Sequence, residues 1–244
     1  MFFPFKDDNP TRSFPLITWI LIGANVFVFF QWQFSLSPEG WGTYLQSFGF
    51  VPKTFFEQAP EAFTKGDFSV VSPIYTSMFS HGSILHLFGN MLFLYLYGDN
   101  VEDAMGKVRF TLFYLTCGTI AALAQAYVAP GSPVPMVGAS GAISGVIAGY
   151  LLLYPRANVR VFYWFFIFIG VWLVPAWVVL GLWVIEQMIA LPASMKAAGG
   201  VAVMAHLGGF ASGLLLTPLC KQAHVPLFQK PRTRAFSRKG RRIR

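Results

Sequence analysis

Residues 110–155 read FTLFYLTCGTIAALAQAYVAPGSPVPMVGASGAISGVIAGYLLLYP, a run without a single Asp, Glu, Lys or Arg. A bilayer core about 30 Å thick is crossed by about 20 apolar helical residues, so the run is too long for one crossing. The Pro-Gly-Ser-Pro-Val-Pro stretch at 130–135 cannot continue a helix and divides it in two. Helices are the expected solution because, in lipid, every backbone amide has to be satisfied internally.

Working outward, residues 13–38, 68–98, 161–185 and 197–220 are also free of Asp, Glu, Lys and Arg. Together the runs predict six spans, at 14–34, 84–98, 108–128, 139–154, 161–190 and 201–219. Ser72-Pro73 is a plausible earlier start for the second helix, and Pro175 a kink in the fifth. Lys6 and Arg12 precede an apolar stretch longer than the about 7–15 residues of a signal-peptide core, so the first helix is read as retained.

Composition agrees. Of the 244 residues, 55% are hydrophobic and only 11% charged, against about 25% charged in a soluble domain. So few charges cannot make a soluble surface, and so apolar a chain is not disordered. The expected fold class is an all-α membrane protein, a six-transmembrane-helix bundle. Cys117 and Cys220 form no zinc or disulfide framework and read as small buried hydrophobes.

Lysine and arginine give the orientation. With six spans, one side holds Lys6, Arg12, Lys107, Arg109, Arg156, Arg160 and nine more between Lys221 and Arg244, and the other only Lys53, Lys65 and Lys196. Both termini are therefore expected in the cytoplasm. The chain divides into a short N-terminus (1–13), the membrane domain (14–220) with a long outward loop (35–70), and a basic tail (221–244). The net charge of +8 sits largely in that tail, which reads as a disordered anchor on anionic lipid. No nucleic-acid recognition fold accompanies it. The aromatic loop, with Trp41, Tyr44, Phe48 and Phe50, reads as an interfacial segment or as the wall of a site, and the sequence does not separate the two.

Polar groups inside spans mark function by default, and they fall in three clusters. His81, His86 and Asn90 open the second span; His86 and Asn90 share a face four residues apart. Alone, this cluster reads equally well as polar packing between helices. Gly138-Ala139-Ser140-Gly141 opens the fourth span, where Gly141, Gly145 and Gly149 bare a face for close helix approach. His206, Gly209 and Gly213 share a face of the sixth. All three spans run inward from the outer side, so Ser140, His206, His86 and Asn90 fall at similar shallow depth. That convergence supports a serine nucleophile, a histidine base and oxyanion donors. No aspartate accompanies His206, so a Ser–His dyad is the economical reading. Glu186 is intramembrane on another span, without an evident role.

In order, spacing and placement on the spans, these motifs resemble the rhomboid family of intramembrane serine proteases, over about residues 70–220. The resemblance implies Ser140 as nucleophile and His206 as base. It places His86, Asn90, Gly138 and the Ser140 amide around the oxyanion, with His81, Gly141, Gly145, Gly209, Gly213 and Glu102 in supporting roles; Glu102 lies in a turn, 98–106, like the family's own. It implies no cofactor or metal. The partner it implies is a membrane-protein substrate with a transmembrane segment that unwinds near the outer face of the bilayer. Two departures stand out. Ser144 replaces the aromatic that many members place four residues after the nucleophile, and the first loop has Trp41-Gly42 where many relatives have Trp-Arg.

Trp183 and Phe165, both on the fifth span, read as a lateral gate or as lipid-facing bulk. The expected location is a bacterial plasma membrane. Two alternatives rank lower: a non-catalytic rhomboid-like protein that binds or escorts transmembrane helices, and a transporter ligating metal through His81, His86 and His206. The first typically lacks the serine or the histidine; the second lacks a carboxylate or thiolate to complete a site.

Overall fold

The structure is a computed structural model describing residues 2–196 and 202–230. Helices dominate. The first, α1 (Leu16–Val28), runs on through a wider π-type turn to Gln33. The loop after α1 folds into two short helices, α2 (Pro38–Phe48) and α3 (Pro52–Thr64). Proline occupies the first turn of each, where its missing N–H costs nothing, and the Ser37 hydroxyl accepts from Gly40 N to cap α2.

The short α4 (Ser72–Ser77) precedes α5 (Ile84–Met105), α6 (Lys107–Val128), α7 (Ser140–Leu153), α8 (Ala176–Lys196) and α9 (Val203–Cys220). Among the described residues, four helices are long and apolar enough to cross a membrane: Leu16–Gln33, Lys107–Val128, Ala176–Ser194 and Val203–Cys220. In α5, His86, Asn90, Asp99 and Asn100 lower the apolar content. At 14 residues, α7 is shorter than the other bundle helices when α1 is taken through its π-type turn to Gln33. It is buried along nearly its whole length, enclosed by α5, α6 and α9.

Ser72-Pro73 starts a helix, but a separate one of six residues. The helix α5 begins anew at Ile84, where the Ser83 hydroxyl accepts from His86 N at 3.1 Å.

The all-helical expectation needs a larger correction. Residues 158–175 are not the start of a helix. They form a hairpin, β2 (Asn158–Phe165) and β3 (Phe168–Pro175), and the N-terminal β1 (Phe2–Asp7) pairs antiparallel with β2. The fifth helix therefore starts at Ala176 rather than near 161, and Pro175 ends a strand instead of kinking a helix. The physical reason is a dense run of aromatic and β-branched residues, which lose rotamer freedom in a helix and pack well on a pleated sheet.

The sheet lies along α5. Asp7 accepts from Asn100 Nδ2 near one end of that helix, and Phe3 stacks on Phe88 near the other, with ring centroids 6.0 Å apart. Phe165, at the hairpin tip, is exposed. At the sheet's base, Arg160 pairs with Asp8 at 2.7 Å. The basic tail lies outside the described residues from position 231 onward.

Candidate active site

The site is assembled where α5, α7 and α9 begin, with α8 alongside. Ser140 is the first residue of α7, and no side chain caps that helix. Its leading amides thus face outward with the positive end of the helix dipole, an arrangement that favours negative charge. Just before it, Gly138 has φ +124°, and a Cβ there would lie 2.8 Å from the His86 ring and 3.6 Å from Ser140 Oγ. Glycine is required here because any side chain would fill the space between the imidazole and the hydroxyl.

His206 sits in the first turn of α9. Its Nε2 is 2.8 Å from Ser140 Oγ, and its Nδ1 is 2.7 Å from Gln187 Oε1 on α8. The Trp183 ring, one turn before Gln187, packs with its centroid 6.0 Å from that of His206. Support for the histidine thus comes from α8. Ser144 turns inward instead, its hydroxyl donating to the Ser140 carbonyl at 2.6 Å.

The closeness of α7 and α9 is set by bare backbone. A Cβ on Gly209 would collide with the Gly141 carbonyl, and one on Gly213 with the Gly145 carbonyl. On the other side of α7, the Cβ positions of Gly141 and Gly145 are filled by Ala121 and Cys117 of α6.

Asn90 is buried, and its Nδ2 has no hydrogen-bond partner. A donor left unpaired in such a place costs about 1–3 kcal/mol. His86 is half-buried beside it. Both line a cavity of about 1030 Å³ with Ser140, His206, Trp183 and the 131–137 loop. Part of the loop between α1 and α4 is fastened to this wall: Phe50 exchanges backbone hydrogen bonds with Met136, and Lys53 N donates to Ser132 O.

The remaining sequence candidates lie outside the cavity. His81 is fully buried, its ring 5.1 Å from that of His86 and neither of its nitrogens hydrogen-bonded. Glu102 is far from the site at the other end of α5. Its carboxylate accepts from Ile17 N, Thr18 N and Thr18 Oγ1 at 3.1, 2.8 and 2.8 Å, binding the start of α1. Glu186 is exposed. Phe165 lies on the hairpin rather than beside Trp183 on a helix. Sequence reasoning missed Gln187; the available signal was a second polar residue directly after Glu186 in an apolar run. No group of three or more His, Cys, Asp or Glu able to hold a metal occurs among the described residues.

Comparison with known proteins adds a relationship. The sequence profile of the Rhomboid domain matches residues 69–223. The chain is 29% identical over 145 residues to the presenilin-associated rhomboid-like protein, mitochondrial, of Bos taurus, covering 59% of this chain and 34% of that one. It is 29% identical over 150 residues to Rhomboid protein 1, mitochondrial, of Saccharomyces cerevisiae (60% and 39%). It is 32% identical over 136 residues to RHOMBOID-like protein 4 of Arabidopsis thaliana (56% and 30%). The matched part of the chain thus spans between about 30% and 40% of the length of these curated relatives.

Proposed function

The chain belongs to the rhomboid family, and from that premise we propose that it is an intramembrane serine endopeptidase that cuts transmembrane segments of other membrane proteins near the outer face. The observation that carries this reading is the 2.8 Å contact between Ser140 Oγ and His206 Nε2, made at a cavity that also holds the unpaired amide of Asn90.

In this mechanism His206 Nε2 removes the Ser140 proton as Oγ attacks the scissile carbonyl. The tetrahedral oxyanion is received by the Ser140 amide at the start of α7, by Asn90 Nδ2 and by the His86 ring. The imidazolium then protonates the leaving amine, and the peptide bond breaks to give an acyl-enzyme. A water entering the cavity, deprotonated by the same Nε2, hydrolyses that ester and regenerates Ser140. A helical substrate hides its carbonyls in its own hydrogen bonds, so the cut segment must be extended when it reaches Ser140.

The membrane arrangement is part of the proposal. In it, α1, α5, α6, α7, α8 and α9 are six spans, both termini are cytoplasmic, and the dyad lies toward the outer side. The lysine and arginine asymmetry supports this orientation. The bacterial plasma membrane expected from the sequence finds no support in these relatives: the names of the bovine and yeast proteins favour a mitochondrial membrane, which fractionation of the source cells tests.

The test is labelling of the detergent-solubilised chain with a serine-reactive fluorophosphonate, read by intact mass. A single adduct in the native chain, absent in Ser140→Ala and His206→Ala, is the expected result. A folded chain that takes no adduct would overturn the protease reading and favour a protein that only binds transmembrane helices.

A further inference from the structure

Among the contacts of His206, the one to Gln187 has a chemical consequence of its own. A neutral imidazole carries one proton and offers one lone pair. For Nε2 to take a proton from Ser140, that nitrogen must present its lone pair, so the ring proton must sit on Nδ1. A proton on Nδ1 needs an acceptor. Gln187 Oε1, 2.7 Å away, is a carbonyl oxygen and can only accept. Gln187 is buried. Without Gln187, the Nδ1 proton would have no protein partner among the contacts of His206. The ring would then be better satisfied in its other tautomer, with Nε2–H donating to Ser140 Oγ, and that form has no base.

We infer that Gln187 is a positioning residue: its carboxamide oxygen holds the His206 proton on Nδ1 and thereby keeps Nε2 available to Ser140. Two contacts from one helix face carry this. Trp183 and Gln187 stand four residues apart on α8, so they lie one above the other. The indole packs against the imidazole, with ring centroids 6.0 Å apart and planes inclined by 40°, and limits its swing, while the carboxamide selects its tautomer. Glu186, one residue earlier, is turned about 100° around the helix and is exposed, so the register of α8 brings the neutral side chain to the histidine and keeps the ionisable one away. Orientation of a histidine through its second nitrogen is a general device. Here a neutral amide does it, so the imidazolium formed during catalysis gains a dipole and no counter-charge.

The role rests on the protease reading for its catalytic meaning but is tested independently of it. The full chain, with ¹⁵N-labelled histidine in detergent micelles, is examined by NMR as the native sequence, Gln187→Leu and Gln187→Glu, with His206→Ala to assign the resonances. The native His206 is expected as the Nδ1–H tautomer. Gln187→Leu is expected to lose that signature, and Gln187→Glu, which restores a pure acceptor, to keep it. Native-like His206 resonances in Gln187→Leu would overturn the inference whether or not the chain is an enzyme. If Gln187→Leu does not fold, Gln187→Glu decides alone: retention of the Nδ1–H form supports the role and its loss overturns it. In parallel, fluorophosphonate acylation of Gln187→Leu is expected to slow by about 10²-fold or more, with recovery in Gln187→Glu. Acylation of Gln187→Leu at the native rate would also overturn it. Absence of labelling in the native chain would instead bear on the protease reading, leaving the tautomer result to stand by itself.

Discussion

Gly209 of α9 faces the carbonyl of Gly141 on α7 so closely that a single methyl group between them would collide with it. His206 lies one turn before Gly209 and Ser140 directly before Gly141, so this glycine contact fixes the spacing between the imidazole and the hydroxyl.

Gly209→Ala is therefore expected to push α9 off α7. Overpacking of this kind costs about 1–3 kcal/mol, and a displacement near 1 Å at the reacting atoms costs about 10²-fold in rate. Thermal unfolding in detergent and the rate of fluorophosphonate labelling measure the two effects. Native values in both would show that the seam does not set the site.

Asn90 should separate activity from stability. Its unpaired Nδ2 is a cost to the resting protein and, in the proposed mechanism, a gain only when an oxyanion forms. Asn90→Leu is expected to lower kcat by about 10²–10³-fold while leaving the unfolding temperature unchanged or raised. A fall in KM-normalised activity that merely tracks lost stability would argue for a packing role.

Glu102 should behave in the opposite way. Glu102→Ala leaves two backbone amides and the Thr18 hydroxyl without their acceptor, at an expected cost of about 2–4 kcal/mol. Glu102→Gln keeps an acceptor oxygen and should cost less. Activity should fall only as far as the folded fraction does, which a side-by-side measurement of unfolding and labelling would reveal.

Docking of β1 should depend on pH. Burial pushes the Asp7 carboxyl from its ordinary 3.8 up to about 7; the Tyr150 hydroxyl, donating to it, opposes the shift, and Asp99 and Asp8 add to it. The folded protein thus binds the Asp7 proton more tightly than the unfolded chain does. Its stabilising contribution is complete below pH 3.8 and is lost as pH rises through about 7. Amide exchange at Phe3, Phe5 and Lys6 is therefore expected to quicken between pH 5 and pH 8 beyond its intrinsic rise, and Asp7→Asn to remove the excess. An unchanged excess in that variant would assign the effect elsewhere.

Much of the bundle was legible because lipid imposes a simple grammar of long apolar runs broken by proline and charge, as at 130–135. Ser140 and His206 were legible because glycines frame each of them at helical spacing. Residues 158–175 were not. A continuous apolar run has no period to separate a buried strand from a helix, and the hairpin turns at Phe165-Phe166-Ile167-Phe168 without glycine, asparagine or proline, Phe166 itself adopting φ +53°. The serine–histidine geometry needed only two elements, whereas Gln187 depended on the rotation of α8 about its axis. That rotation follows from where the helix starts, and the hairpin hid the start.

The brevity of α7 has a consequence for where the proposed chemistry would take place. Its 14 residues amount to about 21 Å of helix, against a hydrocarbon layer of about 30 Å. In the proposed membrane arrangement α7 ends near the inner surface, and a helix this short leaves its first residue submerged. Ser140 then lies at the floor of a well, and each hydrolytic water has to descend through a depth that the lipid, as much as the protein, determines. On the proposed function bilayer thickness becomes a variable of the reaction: the same dyad in longer-chain lipids would work from a deeper shaft.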